Sequence, residues 1–120
     1  MANNPVVRWQ MISPTPQKLT EFYAKLFNWE TTTDNMLNYS VVDTGSERGI
    51  HGGVWPAPPD TPSFVQLFVE VEDCAAYVQQ ATALGATVLI PPQTLPDGDT
   101  LAVLKDPCGM SFGIVKLGAV

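Results

Sequence analysis

The chain has 120 residues, of which 45% are hydrophobic and 15% charged, and carries a net charge of −6. That composition belongs to a folded domain rather than a disordered chain, and the length fits a single domain. The acidic balance argues against nucleic acid and anionic membrane surfaces as partners, since both attract basic patches. The six basic residues, Arg8, Lys18, Lys25, Arg48, Lys105 and Lys116, form no run. No apolar stretch approaches the ~20 residues that a membrane span needs. The opening Met1-Ala2-Asn3-Asn4-Pro5 lacks the basic and apolar regions of a signal peptide, so a cytoplasmic location is expected. Cys74 and Cys108 then read as free thiols rather than a disulfide framework. The single histidine, His51, restricts the available chemistry more than any other feature of the composition.

Residues 5–12 (PVVRWQMI) read as a strand with Val6, Arg8, Gln10 and Ile12 on one face and Val7, Trp9 and Met11 on the other. Ser13-Pro14-Thr15-Pro16 stops it. Thr15 is placed to cap a helix and Pro16 to be its first residue. That helix runs to about Asn28, and Leu19, Phe22, Tyr23, Leu26 and Phe27 form one apolar stripe, read as core packing. Three short strands should follow, at about 29–34, 37–43 and 49–55. Asp34-Asn35 and Thr44 to Gly49 supply the turns between them. Pro56-Ala57-Pro58-Pro59-Asp60-Thr61-Pro62 holds four prolines in seven residues, the one clear linker.

The pattern then repeats. Residues 63–71 read as a strand with Leu67, Val69 and Val71 on one face. Asp73 is a helix cap candidate, residues 74–84 are helical, and Gly85 suits the position after a helix end. Ala86 to Ile90 is a strand stopped by Pro91-Pro92. Pro96-Asp97-Gly98 is a turn, 99–105 a strand, Asp106-Pro107-Cys108-Gly109 a tight turn and 110–117 the last strand. The order is βαβββ twice: module 1 over 1–56, linker 57–62 and module 2 over 63–120. Thr15 and Asp73 hold equivalent caps, and the repeat lies in element order rather than in identical letters. The expected fold is α+β, a curved eight-stranded mixed sheet or half-barrel with the helices outside and the opposite face lining a cleft.

The run Thr15-Pro16 through Phe22-Tyr23-Ala24-Lys25-Leu26-Phe27-Asn28-Trp29 resembles the first helix of the vicinal-oxygen-chelate superfamily of glyoxalases, bleomycin-resistance proteins and ring-cleaving dioxygenases. Val69-Glu70-Val71-Glu72-Asp73, the helix ending Ala83-Leu84-Gly85-Ala86, and Val103 to Gly113 resemble its second module. Gly49-Ile50-His51-Gly52-Gly53-Val54-Trp55-Pro56 resembles the fourth-strand end of short bacterial members. The resemblance covers nearly the whole chain and specifies the fold better than the chemistry.

In metal-dependent members of this superfamily, ligands stand on the first, fourth, fifth and eighth strands. Carried over, those positions are Arg8, one of His51, Gly53 or Trp55, Gln66 and Gly113. Arg8 is a permanent cation, Gly113 has no side chain, and only His51 and Gln66 could ligate. The resemblance therefore implies a chain with no metal cofactor, a divalent ion being possible but disfavoured. It implies a small-molecule ligand bound by Arg8, Gln10, Trp55, Gln66 and Phe68, with Arg8 as anchor for a carboxylate, carbonyl or phosphate. The alternatives are that Arg8 pairs with Glu70 and that Trp55 and Phe68 serve packing or a dimer contact. Small size and family habit imply a homodimer. A lyase, isomerase or dioxygenase relative using Gln66 and His51, the latter as catalytic base, is a second reading, and a non-enzymatic accessory domain a third.

Overall fold

The computed structural model describes residues 3–32, 40–96 and 98–118. Its elements in chain order are β1 (Val6–Ser13), α1 (Pro16–Phe27), β2 (Glu30–Thr32), β3 (Ser40–Asp43), β4 (Gly52–Pro56), β5 (Phe64–Glu70), α2 (Cys74–Ala83), β6 (Thr87–Thr94), β7 (Thr100–Lys105) and β8 (Ser111–Lys116). The fold is α+β, with eight strands in mixed pairing and βαβββ order occurring twice. The expected Asp34-Asn35 turn, and Asp97 of the later one, lie outside the described residues. Contacts gather into two compact units, Arg8–Gln66 and Leu67–Val120 with Met1–Val7.

In the unit Arg8–Gln66 the strand order is β2-β3-β4-β1. β1 and β4 run parallel, with Trp9 opposite Gly52, Gln10 opposite Gly53 and Ile12 opposite Trp55. β3 pairs antiparallel with β4 and β2 with β3. Helix α1 begins on Pro16, where a missing N–H loses no helical bond, and ends at Asn28 in the left-handed region (φ 60°), whose N–H donates to the Ala24 carbonyl. Leu19 and Tyr23 of α1 meet Trp9, Met11, Val42 and Val54 of the sheet. The rest of the apolar stripe does not become core. Phe22, Leu26 and Phe27 each keep more than half their surface exposed. The sheet is met instead by Leu19 and Tyr23, with the Trp9 and Trp29 rings beside them. Trp9, Tyr23, Phe27 and Trp29 pack on one another with centroids 5.2–6.1 Å apart.

Trp9 also explains Gly52. A Cβ at Gly52 would fall 2.1 Å from the indole Cδ2, so only glycine can stand opposite this tryptophan. The indole N–H donates to the Ile50 carbonyl at 3.0 Å.

In the second unit the strand order is β5-β8-β7-β6. Asp73 caps α2, its carboxylate accepting the Ala76 N–H at 3.1 Å. Against α2 lies a core of Val71, Cys74, Ala102, Leu104 and Ile114 with Tyr77, Val78 and Ala81. The Cys74 thiol donates to the Thr100 carbonyl (3.3 Å), and burial pushes its pKa up, while Cys108 is exposed; both are free thiols. The alternate residues of the same strands make a second cluster of Phe68, Leu101, Val103 and Val115. It faces away from α2, because Val103 pairs with Gly113 and Leu101 with Val115, out of phase with Ala102 and Ile114.

The sixth strand corrects the sequence reading. Pro91-Pro92 do not end it; β6 runs on to Thr94. β6 is the last strand in the order, so its prolines remove no bond on the open side, and register shifts between Val88 and Gln93 step the pairing past them. The Asp106–Gly109 turn forms as expected. The Asp106 carboxylate accepts the N–H groups of Cys108 and Met110, and Gly109 takes φ 94°. No helix among the described residues is long and apolar enough to cross a membrane.

Candidate ligand-binding face

The strand periodicity of the unit Arg8–Gln66 gives its sheet two unlike faces. Trp9, Met11, Val42 and Val54 turn to α1, so Gln10, Ile12, Gly53 and Trp55 turn the other way. Gln66 joins this second face. Its side-chain amide donates to the Gln10 side-chain oxygen at 3.2 Å, and the residue is only 5% exposed. Two neutral amides bonded in this way fix each other's orientation. Gly53 lies directly opposite Gln10 and is buried, so no side chain rises from the sheet there. Trp55, half-buried, stands two residues along.

Arg8 and His51 are the residues immediately before the first pair of the β1–β4 ladder. His51 is exposed, and its Nδ1 lies 3.8 Å from the Asp43 carboxylate, longer than a hydrogen bond. The sequence reading missed Asp43. The signal was the turn from Thr44 to Gly49, which folds β3 back on β4 with Val42 opposite Gly52 and so carries Asp43 level with His51.

Phe68 takes the packing alternative rather than the ligand-stacking one. It is 2% exposed, and its ring packs with Leu101, Val103 and Val115 directly over Gly113. A Cβ on Gly113 would fall 2.4 Å from the Phe68 ring. The phenyl group thus fills space that a side chain on the eighth strand would need, and it is a core residue rather than a surface for stacking.

The four positions inherited from the resemblance do not fit a divalent ion. Arg8 is a cation, Gln66 already bonds Gln10, and Gly113 offers no donor. His51, the one imidazole, faces Asp43 in the open. Among the described residues no three His, Cys, Asp or Glu side chains converge as an ion would require.

The sequence from 9 to 115 matches the family model described as a glyoxalase-like domain. Over 79 residues, 66% of the chain, it is 32% identical to the "Putative glyoxylase CFP32" of Mycobacterium bovis, and equally to that of Mycobacterium tuberculosis; the matched part is 30% of those relatives' length. Among solved structures it resembles a hypothetical protein from Bacillus halodurans (TM-score 0.69, 9% identity, 99% and 98% of the two chains). It also resembles methylmalonyl-CoA epimerases from Mycobacterium tuberculosis (0.65, 12%, 95% and 88%) and Streptomyces coelicolor (0.62, 16%, 95% and 97%). At those identities the structural likeness speaks for the fold alone. The match across nearly the whole sequence, joined to the doubled βαβββ order, shows that this chain belongs to the glyoxalase-like domain family of the vicinal-oxygen-chelate superfamily.

Proposed function

We propose that the face carrying Arg8, Gln10, Trp55 and Gln66 binds a small polar organic ligand without a metal ion. The observation that carries this reading is the bond between buried Gln66 and half-buried Gln10, beside the bare backbone of Gly53. A side-chain amide pair held in one orientation beside bare backbone presents a fixed pattern of donor and acceptor to an approaching polar group. Arg8 supplies the charge that a carboxylate or a polarised carbonyl would seek, and the Trp55 ring an apolar wall. The chemistry is recognition: a planar oxygen-bearing group set between a guanidinium and two oriented amides. The protein would work in the cytoplasm as a homodimer, and the exposed rings and Leu26 on α1 support the dimer.

The test is calorimetric titration with a panel of small organic acids and carbonyl compounds. Saturable binding is expected, lost in Arg8→Ala and reduced about tenfold in Gln66→Leu. Binding unaffected by both changes would refute the assignment of the face. Elemental analysis after incubation with divalent ions addresses the metal-free part, which near-stoichiometric metal would overturn.

A catalytic version of this reading rests on the Asp43–His51 pair, since a carboxylate beside an imidazole can orient it as an acid–base group. It expects a turnover with one of the panel compounds that His51→Ala abolishes and Asp43→Asn slows. Turnover retained in His51→Ala would remove it.

A further inference from the structure

The two helices begin differently. Helix α2 has Asp73 bonded to the Ala76 N–H. At α1 the Thr15 side chain makes no cap bond and the first turn holds no acidic residue. Pro16 has no N–H, and the first intrahelical bond is that of the Leu19 N–H to the Thr15 carbonyl. The N–H groups of Gln17 and Lys18 therefore lack intrahelical acceptors, and neither bonds to another described residue.

Those two residues open onto a recess of about 450 Å³, walled by Pro14, Thr15, Pro16, Ser40 and Pro56. Lys18 is the one charged residue among the described residues that line it. Ser40 supplies a second, independent observation. It is 5% exposed and pairs with Val54, which sets it on the α1 side of the sheet, yet its hydroxyl bonds to no described residue. No fully enclosed side-chain polar atom among the described residues lacks a partner. An unpartnered Ser40 hydroxyl is therefore one that opens into the recess it lines.

We propose that this recess is a binding site for a small oxyanion, a phosphate or phosphoryl group. It would be held by the backbone N–H groups of Gln17 and Lys18, the Lys18 ammonium and the Ser40 hydroxyl. The positive end of a twelve-residue helix, unneutralised by any carboxylate in its first turn, supplies the field. The site lies on the α1 side of the sheet, whereas Gln10, Gly53 and Trp55 turn away from α1. It is therefore independent of the proposed organic-ligand face.

The experiment is a titration of the ¹⁵N-labelled protein with inorganic phosphate, followed by amide chemical shifts. Saturable shifts centred on Gln17, Lys18 and Ser40 are expected. Lys18→Gln should weaken binding about fivefold or more, and Ser40→Ala should weaken it as well. Lys25→Gln, which removes the same charge at the other end of α1, should leave it unchanged. Gln17→Glu places a competing carboxylate in the first turn and should suppress binding while keeping or raising the melting temperature. Lys18 is exposed, so its variant remains informative if Ser40→Ala proves unstable. Glycerol phosphate in place of inorganic phosphate separates the sources: tighter binding identifies a phosphate ester, equal binding the free anion. Shifts that stay linear and scattered, or an affinity indifferent to Lys18→Gln, overturn the proposal.

Discussion

Each unit contains a parallel strand pair in which an aromatic ring lies over a glycine, Trp9 over Gly52 and Phe68 over Gly113. The arrangement is shared, but the faces are opposite. Trp9 stands on the side of α1, so the other face of its sheet keeps Gln10, Gly53 and Trp55. Phe68 stands on the side away from α2, so the corresponding face of its own sheet is filled by Leu101, Val103 and Val115. A one-residue change in which position carries the ring decides which face becomes core and which stays available for chemistry, because side chains alternate along a strand.

The comparison can be broken most forcefully at Phe68. Phe68→Ala removes the centre of an enclosed cluster and should cost about 3–5 kcal/mol in urea unfolding. Trp55→Ala, at a half-buried ring on the polar face, should cost distinctly less. Equal losses would mean that the two faces are not different in kind. Next come the glycines. Gly52→Ala and Gly113→Ala each drive a methyl into an aromatic ring and should destabilise by about 1–3 kcal/mol. In the double variant Gly113→Ala with Phe68→Leu the losses should fall short of their sum, since a smaller side chain makes room.

Smaller effects sharpen the picture at the amides. Gln66→Ala leaves Gln10 without its partner and should cost about 1–2 kcal/mol. The smallest comparison is between caps. Asp73→Ala should lose about 1 kcal/mol, whereas Thr15→Ala, at an end with no side-chain cap bond, should change stability by less than about 0.5 kcal/mol. Thermal unfolding of the two variants side by side checks this, and a larger loss at Thr15 would contradict the uncapped description of α1.

Much of the architecture was legible beforehand. The order of elements, Pro16 as first helical residue, Asp73 as cap and the Asp106–Gly109 turn follow from local chemistry: fixed φ, short acceptor side chains, and tolerance of positive φ. The extent of β6 was not legible, because a proline pair stops a strand or passes along an edge according to what lies beside it, which no local rule contains. The candidate site divides in the same way. Arg8, Gln10, Gln66 and Trp55 could be assigned to one face by counting in twos. The burial of Phe68, the partnership of Asp43 with His51 and the Gln66–Gln10 bond could not.

What the sequence determined by itself was the periodicity of each strand, the ends of both helices, and the shortage of metal-binding side chains at the inherited positions. These depend on residue type and near neighbours. The tertiary structure alone decided that most of the apolar stripe of α1 stays in the open, that Phe68 belongs to a core, and that Ser40 faces a recess. Burial is a property of what packs on a residue, and the packing partners stand far along the chain, where register and strand order bring them.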